Sequence, residues 1–314
     1  MKIVFMGTPQ FSVGILEAVH KEYGVSLVVT QPDKKVGRKQ VVTMSPVKEK
    51  AIELGIDVFQ PKSIRQDDSK IIDLNPDLII TAAYGQFIPS SVLDTPRLGA
   101  INVHGSLLPE LRGGAPIQRS IKRNYAETGI TIMYMAMKMD SGDIIAQRSI
   151  PIEKDDTSGT LFEKLSIVGK HLLIDTLPSI IDGSARRIKQ DESKVTYAYN
   201  LNKEEEHLDF SLTKELLDCQ LRAFLPEPAC YVLIDSLRLK IRKYQVVEAP
   251  LDETHKTLQN GTIVSLQKRS FRVKVQNGYL DVLEVQLAGK KTLPVIQFLN
   301  GAGRKLIEIN KVLQ

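Results

Sequence analysis

The opening of the chain constrains the fold most. Residues 1–6 are an apolar run that reads as a buried strand, and Gly7-Thr8-Pro9 turns it. Residues 12–21 read as a helix, with Val13, Leu16, Ala18 and Val19 among its apolar positions. Residues 25–30 make a second apolar strand. A strand, a crossover helix and a second strand form a βαβ unit, so a parallel sheet is expected. Gly7 and Gly14 do not make a Gly-x-Gly-x-x-Gly fingerprint, which argues against a nicotinamide cofactor.

The alternation continues. Ser45-Pro46 has the chemistry of a helix start, Ser as N-cap and Pro in the first turn, and the helix stops at Gly55. Val58-Phe59 is a short strand, residues 69–74 a helix and residues 77–82 a strand. Residues 115–122 form a helix. Residues 129–139 and 143–151 pair as a hairpin around Asp140-Ser141-Gly142, and residues 157–181 form one long amphipathic helix. This is an α/β domain on a mostly parallel open sheet, assigned to residues 1–189. Residues 190–206 are polar and poorly periodic, and read as a linker. In residues 207–314 a helix (213–223) precedes short strands at 229–235, 237–247, 261–266, 271–275 and 279–286, then a helix at 293–299. Short strands at close spacing predict a small β-barrel, OB-like in character.

At 314 residues the chain is long enough for two domains. No apolar run is long enough to span a membrane, and the apolar N-terminal stretch is too short for a signal-peptide core. Cys219 and Cys230 fit no metal-ligand spacing, so no metal and a reduced, cytoplasmic setting are expected. Nothing demands more than a monomer. The net charge is +5, and residues 207–314 hold all of it, with 16 Lys and Arg against 11 Asp and Glu. A basic domain of this kind suits a polyanion such as RNA, or is simply a solvated surface.

Three stretches carry chemistry. Residues 98–104 read as a strand ended by Gly105. Asn102 and His104, two apart, point to the same side of it. Carboxyl ends of strands are where ligands bind in open α/β sheets. An Asn amide can donate to a developing oxyanion, and a His can move a proton near neutral pH. The alternative is a buried pair satisfied by backbone. Residues 83–89 follow another strand's carboxyl end and offer backbone groups beside an aromatic and apolar wall, which suits a flat heterocycle. Residues 31–39, a loop by composition, are locally basic through Lys34, Lys35, Arg38 and Lys39. Such a loop fits phosphates or is a solvated surface.

The text around these stretches is recognisable. Residues 102–109 (Asn-Val-His-Gly-Ser-Leu-Leu-Pro), the Arg-Gly-Gly-Ala-Pro-Ile-Gln run at 112–118 and Met139-Asp140-Ser141-Gly142-Asp143 closely resemble the methionyl-tRNA formyltransferase family, one of the 10-formyltetrahydrofolate-dependent formyltransferases. The resemblance begins at Met6-Gly7-Thr8-Pro9-Gln10-Phe11. It passes through Gln31-Pro32-Asp33, Gly37-Arg38 and Ser45-Pro46-Val47-Lys48, and returns at Gly261 and Gly289-Lys290-Lys291. The central motif is shared in part with other 10-formyltetrahydrofolate enzymes, including those acting on nucleotide sugars or glycinamide ribonucleotide. The basic loop and the C-terminal barrel favour the tRNA enzyme. The family usually has Asn-Pro-x-Pro-Gly-Ala at the barrel entrance, whereas this chain has Leu225-Pro226-Glu227-Pro228-Ala229-Cys230.

The resemblance implies a Rossmann-like formyltransferase fold and transfer of a formyl group from 10-formyltetrahydrofolate to the α-amino group of initiator Met-tRNA. The amine attacks directly, so no Ser or Cys nucleophile is needed. The resemblance implies Asn102, His104 and Asp140 as the catalytic set. Asn102 and His104 would meet the oxyanion, and His104 or Asp140 would move the proton. The folate would lie along Tyr84, Gly85, Gln86, Phe87 and Ile88 and along Ser106, Leu107, Leu108 and Pro109. Lys34, Lys35, Arg38 and Lys39 would meet the tRNA acceptor end, and residues 207–314 would form a tRNA-binding barrel. A folate- or RNA-binding module without catalysis is the alternative from another class.

Overall fold

Strand β1 (Ile3–Gly7) is buried at every position, as a continuously apolar strand in the middle of a covered parallel sheet must be. The computed structural model describes residues 1–37 and 40–314. These fall into two units. The first comprises residues 1–117, 126–152 and 160–200, and the second residues 118–125, 153–159 and 201–314.

In the first unit, α1 (Val13–Tyr23) buries Ile15, Leu16 and Val19 and ends at Gly24. β2 (Leu27–Val29) then pairs parallel with β1, which completes the expected βαβ unit. β3 (Lys34–Val36) and β4 (Val41–Thr43) form a separate antiparallel ribbon. The sequence reads this stretch as a loop. The ribbon forms because Val36, Val41, Val42 and Thr43 are β-branched, and Gly37 takes a positive φ of 71° where the turn begins. α2 (Pro46–Glu53) starts as its cap chemistry predicts: Ser45 Oγ accepts the Lys48 N–H at 3.1 Å.

β5 (Val58–Phe59), α3 (Ser69–Leu74), β6 (Leu78–Ala82), α4 (Ser90–Leu93) and β7 (Ala100–His104) follow, then α5 (Pro116–Lys122), β8 (Glu127–Tyr134), β9 (Ile144–Pro151) and α6 (Ser158–Ile181). The sheet order is β5-β2-β1-β6-β7-β8-β9. The strands from β5 to β7 are parallel, and β8 and β9 add an antiparallel edge. The chain moves outward from β1 to β5, then returns to β6 on the other side of β1. The winding reverses there, and a crevice opens at the carboxyl ends of the flanking strands. Val4, Met6, Leu27, Val29, Ile71, Ile79 and Val92 pack in one core on this sheet.

The second unit is built on an antiparallel sheet. α7 (Lys214–Phe224) is capped by the Thr213 hydroxyl, which accepts the Leu216 N–H. β10 (Tyr231–Ile234), β11 (Leu237–Val247), β12 (Ile263–Leu266), β13 (Phe271–Val275) and β14 (Gly278–Leu287) take the order β10-β11-β14-β13-β12. β15 (Leu293–Pro294) adds to β14, so the expected helix at 293–299 begins only at α8 (Val295–Leu299), after a proline-bounded strand pair. The last residues bridge the two edges of the sheet. Gln314 N–H donates to Leu233 O on β10 at 2.9 Å, and Ile263 N–H on β12 donates to Lys311 O at 2.8 Å. The curled sheet is OB-like, and this bridging removes the open edges that an isolated sheet would expose.

Long-range bonds redraw the expected linker. Residues 196–198 run beside 112–115: Arg112 N–H donates to Thr196 O, Ala198 N–H to Arg112 O and Ala115 N–H to Ala198 O. Residues 190–200 therefore belong to the first unit. In the second, Ser158 Oγ donates to Leu225 O at 2.6 Å, and Arg119 and Lys122 pair with Glu205. Short segments from the middle of the chain join the barrel unit by these contacts. Among the described residues, no helix is long and apolar enough to cross a membrane.

Candidate active site

Two side chains two residues apart on β7 start the site. The strand's register sets Asn102 opposite Thr81 of β6 and His104 opposite Thr131 of β8. Asn102 is half-buried and His104 is 5% exposed. Thr81 Oγ1 lies 2.7 Å from Asn102 Oδ1 and donates to it. With its oxygen engaged, the amide has its Nδ2 left to give to a ligand. His104 Nε2 lies 3.1 Å from the Leu111 carbonyl, which only accepts, so that bond assigns a proton to Nε2. The other ring nitrogen, Nδ1, faces Asp140 Oδ2 at 3.7 Å.

Asp140 comes from the loop between β8 and β9. Its φ of 50° is in the left-handed region. The same Oδ2 that faces His104 accepts the Gly113 N–H at 2.8 Å. Gly142, two residues on, has no room for a side chain, because a Cβ there would overlap the Tyr134 carbonyl. Arg112 is fully buried. Its Nε and Nη2 donate to Gln190 Oε1 at 3.0 and 2.8 Å, and Nη2 reaches Glu192 Oε1 at 2.9 Å. Hydrogen bonds from Arg112 and then Lys138 hold the Glu192 carboxyl below its usual range.

Asn102, His104 and Asp140 open on one cavity of about 660 Å³. Its walls include Phe11, Met135, Met137 and Phe162, with Gly113, Gly114 and Asn200 among the other lining residues. The volume suits a drug-sized ligand, and the lining is mainly apolar with few polar groups, the usual character of such sites. Among the described residues, no group of three His, Cys, Asp or Glu could hold a metal ion.

The residues singled out from sequence are distributed unevenly. Tyr84, Gly85, Gln86, Phe87 and Ile88 all line the cavity. Burial pushes the Tyr84 phenol up to about 12, and its hydroxyl has no hydrogen-bond partner among the described residues. Gln86 is spent on structure: it accepts the Ile64 N–H and donates to Pro61 O. Phe87 lies under the Arg65 guanidinium, 4.3 Å from ring centroid to charge.

Ser106, Leu107, Leu108 and Pro109 are not in the cavity lining. After Gly105 the chain turns into the body of the unit. Ser106 Oγ donates to Glu110 O, Leu108 N–H donates to Thr131 Oγ1, and Leu108 packs on Met133 and Ile144. Lys34 and Lys35 are exposed on β3, while Arg38 and Lys39 lie outside the described residues. Sequence reasoning missed Thr81, Gln190 and Asn200. Thr81 was within reach, as a hydroxyl near the end of a buried strand. Gln190 and Asn200 lie in a polar stretch with no periodic signal.

Comparison with known proteins places the chain in a family. A family model described as formyl transferase matches residues 1–177, and one described as formyl transferase, C-terminal domain, matches residues 200–303. The methionyl-tRNA formyltransferase of Latilactobacillus sakei is 51% identical over 308 residues, covering 97% of this chain and 95% of that one. That of Enterococcus faecalis is 47% identical over 315 residues, covering 99% of each. Among solved structures, the N-formyltransferase from Helicobacter canadensis, in complex with folinic acid and dTDP-3-aminofucose, superposes with a TM-score of 0.67. It is 19% identical and covers 90% of this chain and 98% of that one, a likeness of fold. Both family models and full-length relatives at this identity converge on one assignment: the chain belongs to the methionyl-tRNA formyltransferase family.

Proposed function

We propose that the chain transfers the formyl group of 10-formyltetrahydrofolate to the α-amino group of initiator methionyl-tRNA, with Asn102, His104 and Asp140 as its catalytic residues. The observation that carries the reading is their meeting on one cavity at the carboxyl end of β7. The cavity suits a folate: it has apolar walls, the Tyr84–Ile88 backbone turns along it, and the buried Tyr84 hydroxyl has no partner among the described residues. When bound, 10-formyltetrahydrofolate supplies the formyl carbon. Asn102 Nδ2 donates to the oxygen that gains charge as the amine adds, a donor placed where it acts most strongly, away from bulk water. His104, held between the Leu111 carbonyl and Asp140, moves the proton that the amine must lose and the folate nitrogen must gain. Ser106, Leu107, Leu108 and Pro109 serve the folate indirectly, by holding the wall that ends at Gly105.

The β3–β4 ribbon is the element that meets the tRNA. Lys34 and Lys35 stand beside Val36, Val41 and Val42, which are 55%, 58% and 62% exposed, an exposure that a macromolecular partner would relieve. The basic excess of residues 207–314 suits the same polyanion. Catalysis is assigned to the α/β unit and RNA binding to the barrel, and the working form is a monomer in the cytoplasm.

The test is formyl transfer from 10-formyltetrahydrofolate to initiator Met-tRNA, elongator Met-tRNA and free methionine. Product on initiator Met-tRNA alone is expected. Transfer to an amino sugar nucleotide, with none to Met-tRNA, would overturn the assignment of substrate.

A further inference from the structure

We infer that Gln190 is the positioning residue that sets Asp140 against His104. Its amide is used at both ends. Oε1 accepts from Nε and Nη2 of the buried Arg112. Nε2 donates to the carbonyls of Asp140 and Gly142, each at 2.8 Å. A primary amide has two donors and two acceptor sites, and all four are filled. Arg112, with no exposed surface, anchors the amide, and the amide in turn grips the loop on either side of Ser141.

The grip acts where the backbone needs it. Asp140 has a φ of 50°, a conformation that a non-glycine residue keeps only when its surroundings impose it. Two contacts impose it here. The Gly113 N–H holds the carboxylate, and Gln190 holds the main chain. Three consecutive residues thereby serve the catalytic pair. The Leu111 carbonyl meets His104, the Arg112 side chain meets Gln190, and the Gly113 N–H meets Asp140. Residues 196–198 pin this stretch: Arg112 exchanges main-chain bonds with Thr196 and Ala198, and the Thr196 hydroxyl accepts the Leu111 N–H. Gln190 thus lies outside the cavity lining but governs the 3.7 Å between Asp140 Oδ2 and His104 Nδ1.

Gln190→Glu tests this at constant size. The carboxylate keeps its bond to Arg112 but turns an oxygen toward two carbonyls, so the loop loses both donors. The inference rests on the proposed reaction, so wild-type turnover is measured first. No formylmethionyl-tRNA from the wild type would refute that reaction, and this inference with it. With an active wild type, Gln190→Glu is expected to lower kcat between about ten- and a hundredfold, the scale of a small misplacement of a reacting group. KM for the folate and for Met-tRNA should stay within about threefold, since Gln190 lies outside the cavity lining. The decisive readout is the double variant with Asp140→Asn. If Gln190 acts through Asp140, the double variant is no slower than Asp140→Asn alone. Unchanged kcat in Gln190→Glu, or losses that multiply in the double variant, would overturn the role. Should Gln190→Glu fail to fold, Gln190→Asn reads the same quantities, because it keeps the amide but is too short to span both partners.

Discussion

Thr81 and Asn102 face each other on neighbouring parallel strands, and the threonine hydroxyl occupies the oxygen of the asparagine amide at 2.7 Å. The amide nitrogen is thereby left free to donate, on a residue that lines the cavity. Asn102→Ala should lower kcat by on the order of a hundred- to a thousandfold, the usual cost of an oxyanion donor. Thr81→Val frees the amide to rotate without removing it, so its loss should be no more than about tenfold. Steady-state kinetics on both variants checks the ranking. A Thr81→Val enzyme slower than Asn102→Ala would contradict it.

Asp140→Asn retains an acceptor for the Gly113 N–H but removes the charge that faces His104 Nδ1. kcat should fall by roughly a hundred- to ten-thousandfold, the range for proton-transfer groups, while thermal stability stays close to wild type. A variant with normal kcat would remove Asp140 from the catalytic set.

Gly113 cannot accept a side chain. Its φ is 127°, and a Cβ would lie 2.6 Å from the Ala198 carbonyl oxygen. Gly113→Ala should cost about 1–3 kcal/mol of stability through strained backbone. It should also reduce activity, because the displaced N–H no longer holds Asp140. Denaturant unfolding and kinetics on one preparation test both parts.

Glu205 links the fold to pH. Burial alone would raise its carboxyl, but hydrogen bonds from Arg119 and Lys122 outweigh burial and carry it from 4.5 to about 2. A carboxyl lowered in the folded state stabilises the protein above its unfolded value, and that contribution is lost as pH falls from about 4.5 to about 2. Its size is on the order of 2 kcal/mol after allowing for partial exposure. Unfolding of Glu205→Gln should therefore be flatter with pH over this window than that of wild type. Parallel curves would show that the pair contributes nothing.

Lys34 and Lys35 lie on an exposed ribbon rather than in the cavity that holds Asn102, His104 and Asp140. On the proposed tRNA contact, replacing both with Ala should raise KM for tRNA several-fold and make binding less steeply dependent on salt, as the loss of two cations facing phosphates requires. Folate affinity should not change. An equal loss for both ligands would place these lysines elsewhere in function.

What the sequence determined by itself is local. The apolar runs of β1 and β6, the Ser45-Pro46 helix start and the shared face of Asn102 and His104 follow from periods and caps that act over a few residues. Tertiary structure decided which distant groups complete each element. Gln190 meets Asp140 fifty residues away, and 196–198 run beside 112–115. The Ser106–Pro109 stretch turns inward, because Thr131 and Glu110 take its hydrogen bonds. A ribbon replaces the expected loop at 34–43, and the terminal residues join β10 to β12. The physical reason is one of range. A strand's alternation or a helix's cap is written in neighbouring side chains, whereas the partner of a buried amide or guanidinium is whatever the packed chain brings within 3 Å of it.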